Sequence, residues 1–314
     1  MKVTDDNKHF TCSRLPIVMG AAHPKAVSKN ELLQEFIDKK NGSWVEPEQN
    51  NYSKYTDYFE QAIQKIVLDD FPTLKFKKGA NEKPYLAVHA PLGCSIDDWA
   101  IAKEPIQVTD PNGQTFTMQG DIPVEYKTTS VVEDHLPLYK GPIQVQGQML
   151  CTHTSKALVV VFNIRTWQIQ YWPIFKNKEL QSSIQEVVRD FWKRRESEEY
   201  YDPQKPGDYN LIYTNPSDEP KDLSGNNAIG AAIHTWTEGN NEIKSGKLKV
   251  EQSQDIIKQA MGDHVFGLFN NFKISWPVRN YKAKPEKVVP AQEAYSKRSS
   301  TIQIKESDEK KESN

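Results

Sequence analysis

The sequence predicts an α/β or α+β domain, a mixed central sheet flanked by helices, and three observations carry that expectation. Two stretches, 54–70 and 179–195, place apolar residues at the three-and-four spacing of core-facing helices. Residues 85–127 switch to short runs of strand character, broken by Asp110-Pro111-Asn112-Gly113, a strong hairpin turn. Residues 157–164 form the most apolar run of the chain, as a strand buried on both faces would. Helix, strands, helix, two strands, helix is an order that belongs to mixed α and β architecture.

Taken in order, Asn30–Lys40 reads as a helix with Leu32, Leu33, Phe36 and Ile37 on one face. A polar loop over 41–53 leads to the helix at 54–70, whose stripe is Phe59, Ala62, Ile63, Ile66 and Val67, with Glu60 at its border. Strands are expected at 85–89, 106–109, 114–118 and 122–127, then a helix over 142–153. Residues 167–174 alternate and should pair beside the central strand. Residues 202–246 are dense in Pro, Gly, Asn and Asp and read as an inserted arm or loop region. A helix near 252–261, a strand near 273–276 and a last strand at 301–305 close a single domain, 1–306. Residues 307–314 form a charged tail expected to be disordered.

Composition bounds the function classes. With 37% hydrophobic and 26% charged residues the chain has the make-up of a soluble globular protein. No run reaches the roughly 18–20 apolar residues that cross a bilayer. The polar start, 1–11, does not look secretory. Cys12, Cys94 and Cys151 are odd in number and far apart, which fits a reducing cytoplasm and not a disulfide framework. A net charge of -2 lacks the strongly basic balance of many nucleic-acid binders, so any grip on DNA must be local. Local clusters exist at Lys75, Lys77 and Lys78, at Lys193, Arg194 and Arg195, and at Arg279, Lys282, Lys284 and Lys287.

The chemistry concentrates in Gly120-Asp121-Ile122-Pro123-Val124-Glu125-Tyr126-Lys127. On a strand, Glu125 and Lys127 share a face because side chains alternate with period two. The carboxylate is a hard oxygen ligand for Mg²⁺ or Mn²⁺, and the Tyr126 carbonyl offers another. The ammonium can orient water or steady charge on a phosphate. A second carboxylate is needed; Asp97, in Gly93-Cys94-Ser95-Ile96-Asp97-Asp98, is the upstream candidate, with Asp121 as its rival.

The ordered motifs resemble the YqaJ-type viral recombination exonucleases, relatives of lambda exonuclease among the PD-(D/E)xK nucleases with their restriction-endonuclease-like core. The resemblance is carried by Ser13-Arg14-Leu15-Pro16, by Tyr58-Phe59-Glu60, by the Asp97 segment, by Glu125-Tyr126-Lys127-Thr128, by the glutamine-bearing stretch Ile143–Leu150, and by the apolar strand that follows. It implies that Asp97, Glu125 and Tyr126 hold metal, that Lys127 positions the nucleophilic water, and that Glu60 and Gln144 assist. It also implies DNA contacts through Ser13, Arg14 and Gln146. Ile96 and Asp98 stand where the family has Pro and Gly; separately, the Trp and Arg before the serine are missing and only Lys8 and His9 stand nearby, which puts the family's grip on a 5′-phosphate in doubt. The implied activity is Mg²⁺-dependent exonuclease digestion of double-stranded DNA ends, 5′ to 3′, in phage-type recombination. Its implied setting is the cytoplasm of a bacterial host, with a single-strand annealing protein as partner and a homo-oligomer such as the ring trimer of some relatives. An endonuclease using the same site, or a catalytically inactive DNA-binding relative, is the alternative.

Overall fold

The computed structural model describes residues 7–46, 51–131, 134–214 and 217–278. The chain divides into two compact units, Met1–Tyr213 and Thr214–Asn314, so the division falls inside the stretch expected to be an insertion.

Among the described residues the first unit contains eight strands: β1 (Phe10–Thr11), β2 (Lys75–Phe76), β3 (Tyr85–Leu86), β4 (Leu92–Cys94), β5 (Asp98–Thr109), β6 (Thr115–Thr129), β7 (Lys156–Asn163) and β8 (Gln168–Phe175). Its helices are α1 (Leu15–Val18), α2 (Lys29–Asn41), α3 (Asn51–Asp70), α4 (Pro142–Thr152), α5 (Lys178–Ser197) and α6 (Asp208–Ile212). The second unit contains α7 (Asn227–Met261) and the hairpin β9 (Phe266–Phe269) and β10 (Phe272–Ser275).

The main sheet has the order β2-β5-β6-β7-β8. Only β6 and β7 run parallel; the other neighbours are antiparallel. A parallel pair needs a crossover, and α4 supplies it. The mixed sheet with flanking helices is the architecture expected from the sequence, and β7 is its buried strand, Ala157 to Phe162 being at most 9% exposed. β5 and β6 are longer than the sequence suggests. A register shift between Ala102 and Ile106 absorbs Pro105 as a bulge, and Gly120 continues β6 with φ +89°.

α3 covers one face of the sheet, burying Ile63 and Val67 with Ile122, Val124, Tyr126 and Val160. α4 covers the other with Val145 and Met149 against Val159 and Val161. A second core joins α2, α5, β1 and β4 through Phe10, Phe36 and Phe191, whose rings meet at 4.8–5.5 Å between centroids. β4 lies in a small separate sheet, β1-β4-β3, so the chain passes from one sheet to the other between Cys94 and Asp98.

Gly147 shows how tightly α4 is seated. A Cβ there would lie 2.4 Å from Leu15 Cδ1 and 2.8 Å from Cys12 Sγ. Gly147→Ala is therefore expected to destabilise the protein by about 1–3 kcal/mol through overpacking, despite alanine's better helix propensity. Thermal denaturation measures it; an unchanged Tm would show that the neighbours yield freely.

The second unit departs most from the sequence reading. Residues 227–246 are helical and continuous with the expected helix at 252–261, giving a 35-residue α7. Its Gly and Asn residues read as loop signals, yet they weigh only as weak propensities inside an uninterrupted helix. No helix among the described residues is long and apolar enough to cross a membrane. The expected strand at 301–305, the charged tail and the basic cluster 279–287 lie outside the described residues.

Candidate active site

The site forms where β6 outlasts its neighbour. β5 begins at Asp98, which faces Val124, so residues 125–128 run on along an open edge. Along a strand, one residue's N–H and C=O point to the same side. The Tyr126 N–H donates to Asp97 Oδ2 at 2.7 Å, so the Tyr126 carbonyl points along that same edge. Asp97 reaches this position because it sits in the passage between the two sheets, where the backbone turns its carboxylate toward β6.

A pocket of about 240 Å³ opens at this edge, lined by Glu60, Asp97, Glu125, Tyr126 and Lys127 together with Thr56, Phe59, Ile63 and Thr128. Five of the residues singled out from sequence thus meet at one cavity, with Glu60 arriving from α3.

Gln144 joins them from α4. Its Nε2 donates to Glu125 Oε1 at 2.7 Å, and its Oε1 accepts from Lys127 Nζ at 3.2 Å. Lys127 Nζ also donates to Glu125 Oε1. Gln148, one turn further along α4, donates to Glu125 Oε2 at 2.6 Å. Both oxygens of a carboxylate only 3% exposed are therefore held. Sequence reasoning assigned no role to Gln148; its place four residues after Gln144, on the same helix face, was the available signal.

The electrostatics are those of crowded acids. Burial pushes the Asp97 carboxyl well above the usual carboxylate range, and the negative charges of Glu125 and Glu60 push the same way. Lys127 and the Tyr126 N–H oppose this without overcoming it. Burial lowers the Lys127 ammonium's pKa, but Glu125, Asp97 and Glu60 outweigh it and keep the ammonium charged beyond its ordinary range. The donor set fits a hard divalent cation: two carboxylates and a backbone carbonyl at one edge, with more negative charge than one lysine balances.

Asp98 and Asp121 do not belong to this group. Asp98 accepts from the Tyr126 hydroxyl at 3.0 Å, from Gln64 Nε2 and from the Trp99 N–H, and it does not line the pocket. Asp121 accepts from Trp99 Nε1 at 2.9 Å and borders a different depression with Lys103 and Lys156. It lies four residues from Glu125 along β6, roughly 14 Å at strand rise, beyond what one metal cluster spans. Of the two acids considered as the second ligand, Asp97 lines the pocket with Glu125 and Asp121 does not.

The residues expected to touch DNA are not gathered here. Gln146 is 4% exposed and faces the start of α5, donating to the Phe175 carbonyl at 2.7 Å and accepting from the Asn177 N–H at 3.1 Å. That placement corrects the expectation: α4 aims Gln144 and Gln148 at the site and turns Gln146 by about 200° at 100° per residue. Arg14 pairs with Glu35 at 3.1 Å, and Ser13 is exposed; neither lines the pocket. The 193–195 cluster is no phosphate track either. Arg195 is 4% exposed and donates to the carbonyls of Phe36 and Asn7, while Arg194 pairs with Asp190 at 3.0 Å.

All three cysteines are free and buried, with Cys151 on α4 and the three Sγ atoms within 4.8 Å of one another. The Cys12 thiol lies beside Gly147.

No family model matches the sequence, and no curated protein does. Among solved structures the chain is similar to an alkaline exonuclease from Laribacter hongkongensis, with 18% identity and a TM-score of 0.44 over 62% of this chain and 90% of that one. The same enzyme in complex with dAMP matches at 18% identity and a TM-score of 0.43, with the same coverage. A phage-related exonuclease from Haemophilus somnus 129PT matches at 14% identity and a TM-score of 0.41 over 61% of this chain and 96% of that one. At such values the chemistry of the site rests on its own donors.

Proposed function

We propose that this chain is a metal-dependent deoxyribonuclease that hydrolyses phosphodiesters from the ends of duplex DNA. The observation that carries the reading is the convergence of Asp97, Glu125 and Lys127 on one pocket at the open edge of β6. A bound Mg²⁺ or Mn²⁺ would neutralise charge at the scissile phosphate and lower the pKa of a water. Asp97, Glu125 and the Tyr126 carbonyl would hold it.

The chain's own residues do the positioning. Gln144 and Glu125 fix the Lys127 ammonium, which faces the attacking water or the charge that grows on the phosphate. Gln148 holds the far oxygen of Glu125, so that carboxylate keeps one orientation. Glu60, on the α3 side, adds a third acid for the leaving side of the reaction. End-dependence and 5′-to-3′ digestion follow the resemblance of the ordered motifs. The resulting 3′ single strand is what an annealing protein would take up in recombination.

Digestion of end-labelled linear duplex, beside a covalently closed circle of the same sequence, tests this. The linear DNA is expected to be degraded from its 5′ ends with Mg²⁺ or Mn²⁺, to survive in chelator, and the circle to stay intact. Cleavage of the circle would overturn end-dependence; metal-independent degradation would overturn the site.

A further inference from the structure

We propose that α7 is a self-association helix, pairing antiparallel with α7 of a second copy of this chain. The helix spans roughly 52 Å at 1.5 Å per residue, and among the described residues nothing covers most of its length. Such a helix is expected to be polar all round. Instead Ile229, Trp236, Ile243, Val250 and Ile257 recur every seventh residue, and the last four of them are 40–59% exposed. A strict seven-residue apolar repeat is the mark of a helix that supercoils with another.

A second repeat lies beside the first. Ala232, Gly239, Gly246, Ser253 and Ala260 each follow a large residue by three positions. Glycine inside a helix weakens it relative to alanine, and Cβ atoms at Gly239 and Gly246 would meet open space within this chain. Large and small residues alternating along one seam are what two closely approaching helices interdigitate.

The pattern selects an antiparallel register. Setting Ile243 against Gly246 of the other copy places Trp236 opposite Ser253, Val250 opposite Gly239, Ile257 opposite Ala232 and Ile229 opposite Ala260. Every large side chain of the repeat then meets a small one. The crossing point falls at the middle of α7, so the helices overlap along their full length.

Charge agrees independently. The flanking positions bring Glu242 against Lys249 of the other copy on one side, twice by symmetry, and Asn240 against Lys247 on the other. At its C-terminal end the seam enters an apolar groove of about 700 Å³ between α7 and the β9–β10 hairpin, with Ile257 and Ala260 in its wall. In this register the first turn of the second helix, at Ile229, arrives there.

Light scattering of the full chain, without DNA or metal, tests this apart from any nuclease activity. The parent protein is expected at dimer mass at tens of micromolar. Glu242→Lys or Lys249→Glu alone turns two attractive pairs repulsive and is expected to raise the dimer dissociation constant roughly tenfold. The double swap is expected to restore it. Gly246→Gln is expected to dissociate the dimer while far-UV circular dichroism shows the helix retained. A monomeric parent, a trimer or larger ring, or a double swap no tighter than the single ones would overturn the proposal.

Discussion

Lys127→Met is expected to lower DNA hydrolysis by about 10²–10⁴-fold while leaving duplex binding, measured without divalent metal, within a few-fold of the parent. The ammonium sits between Glu125 and Gln144, so its loss removes the only cation at the pocket edge, among its lining residues, that can meet the attacking water or the phosphate. Stability should fall as well. Glu125 is 3% exposed, and a buried carboxylate that loses its ion-pair partner is costly, although the amides of Gln144 and Gln148 still hold its oxygens. Hydrolysis is therefore compared below the variant's melting transition. Activity within tenfold of the parent there would remove Lys127 from the chemistry.

Asp97→Asn is expected to be as inactive and yet more stable than the parent in the absence of metal. The fold raises the Asp97 pKa through burial and through the charges of Glu125 and Glu60, so ionising it costs folding energy. That penalty is absent below the unfolded carboxylate's pKa and fully present once pH exceeds the folded value. The gain in Tm from asparagine should thus be largest at neutral to alkaline pH and vanish in acid, at about 2–4 °C for each kcal/mol relieved in a unit of this size. Asparagine can still accept from the Tyr126 N–H, so the local geometry is kept. Added Mg²⁺ should raise the parent's Tm and not the variant's. A variant less stable than the parent at every pH would show that the charged carboxylate supports the fold.

The contrast between these two substitutions follows from what the sequence makes legible. The period-two rule put Glu125 and Lys127 on one face, and the strand-rich stretch from 85 to 127 brought Asp97 back beside them. Glu60 at the border of an apolar helix stripe, and Gln144 on the helix after β6, arrived where their ordered motifs placed them. Gln148 is legible only through its spacing: four residues after Gln144 it shares that helix face, and its carboxylate partner shows only in the fold. Gln146 was misplaced for the converse reason: a family motif names a segment, while the helix turn decides which of its glutamines looks inward. α7 is not legible from its Gly and Asn residues one by one, because a helix is decided by its whole length.

Tyr126 links two neighbouring acids with opposite parts of itself: its amide grips Asp97 and its phenol grips Asp98. The second acid thus serves as an anchor peg for the first, fixing the turn between sheets and with it the direction of the Asp97 carboxylate. Removing the phenol with Tyr126→Phe keeps the amide contact to Asp97 but frees Asp98, and on the proposed reading the loss is expected in the rate of DNA hydrolysis before it is expected in Tm.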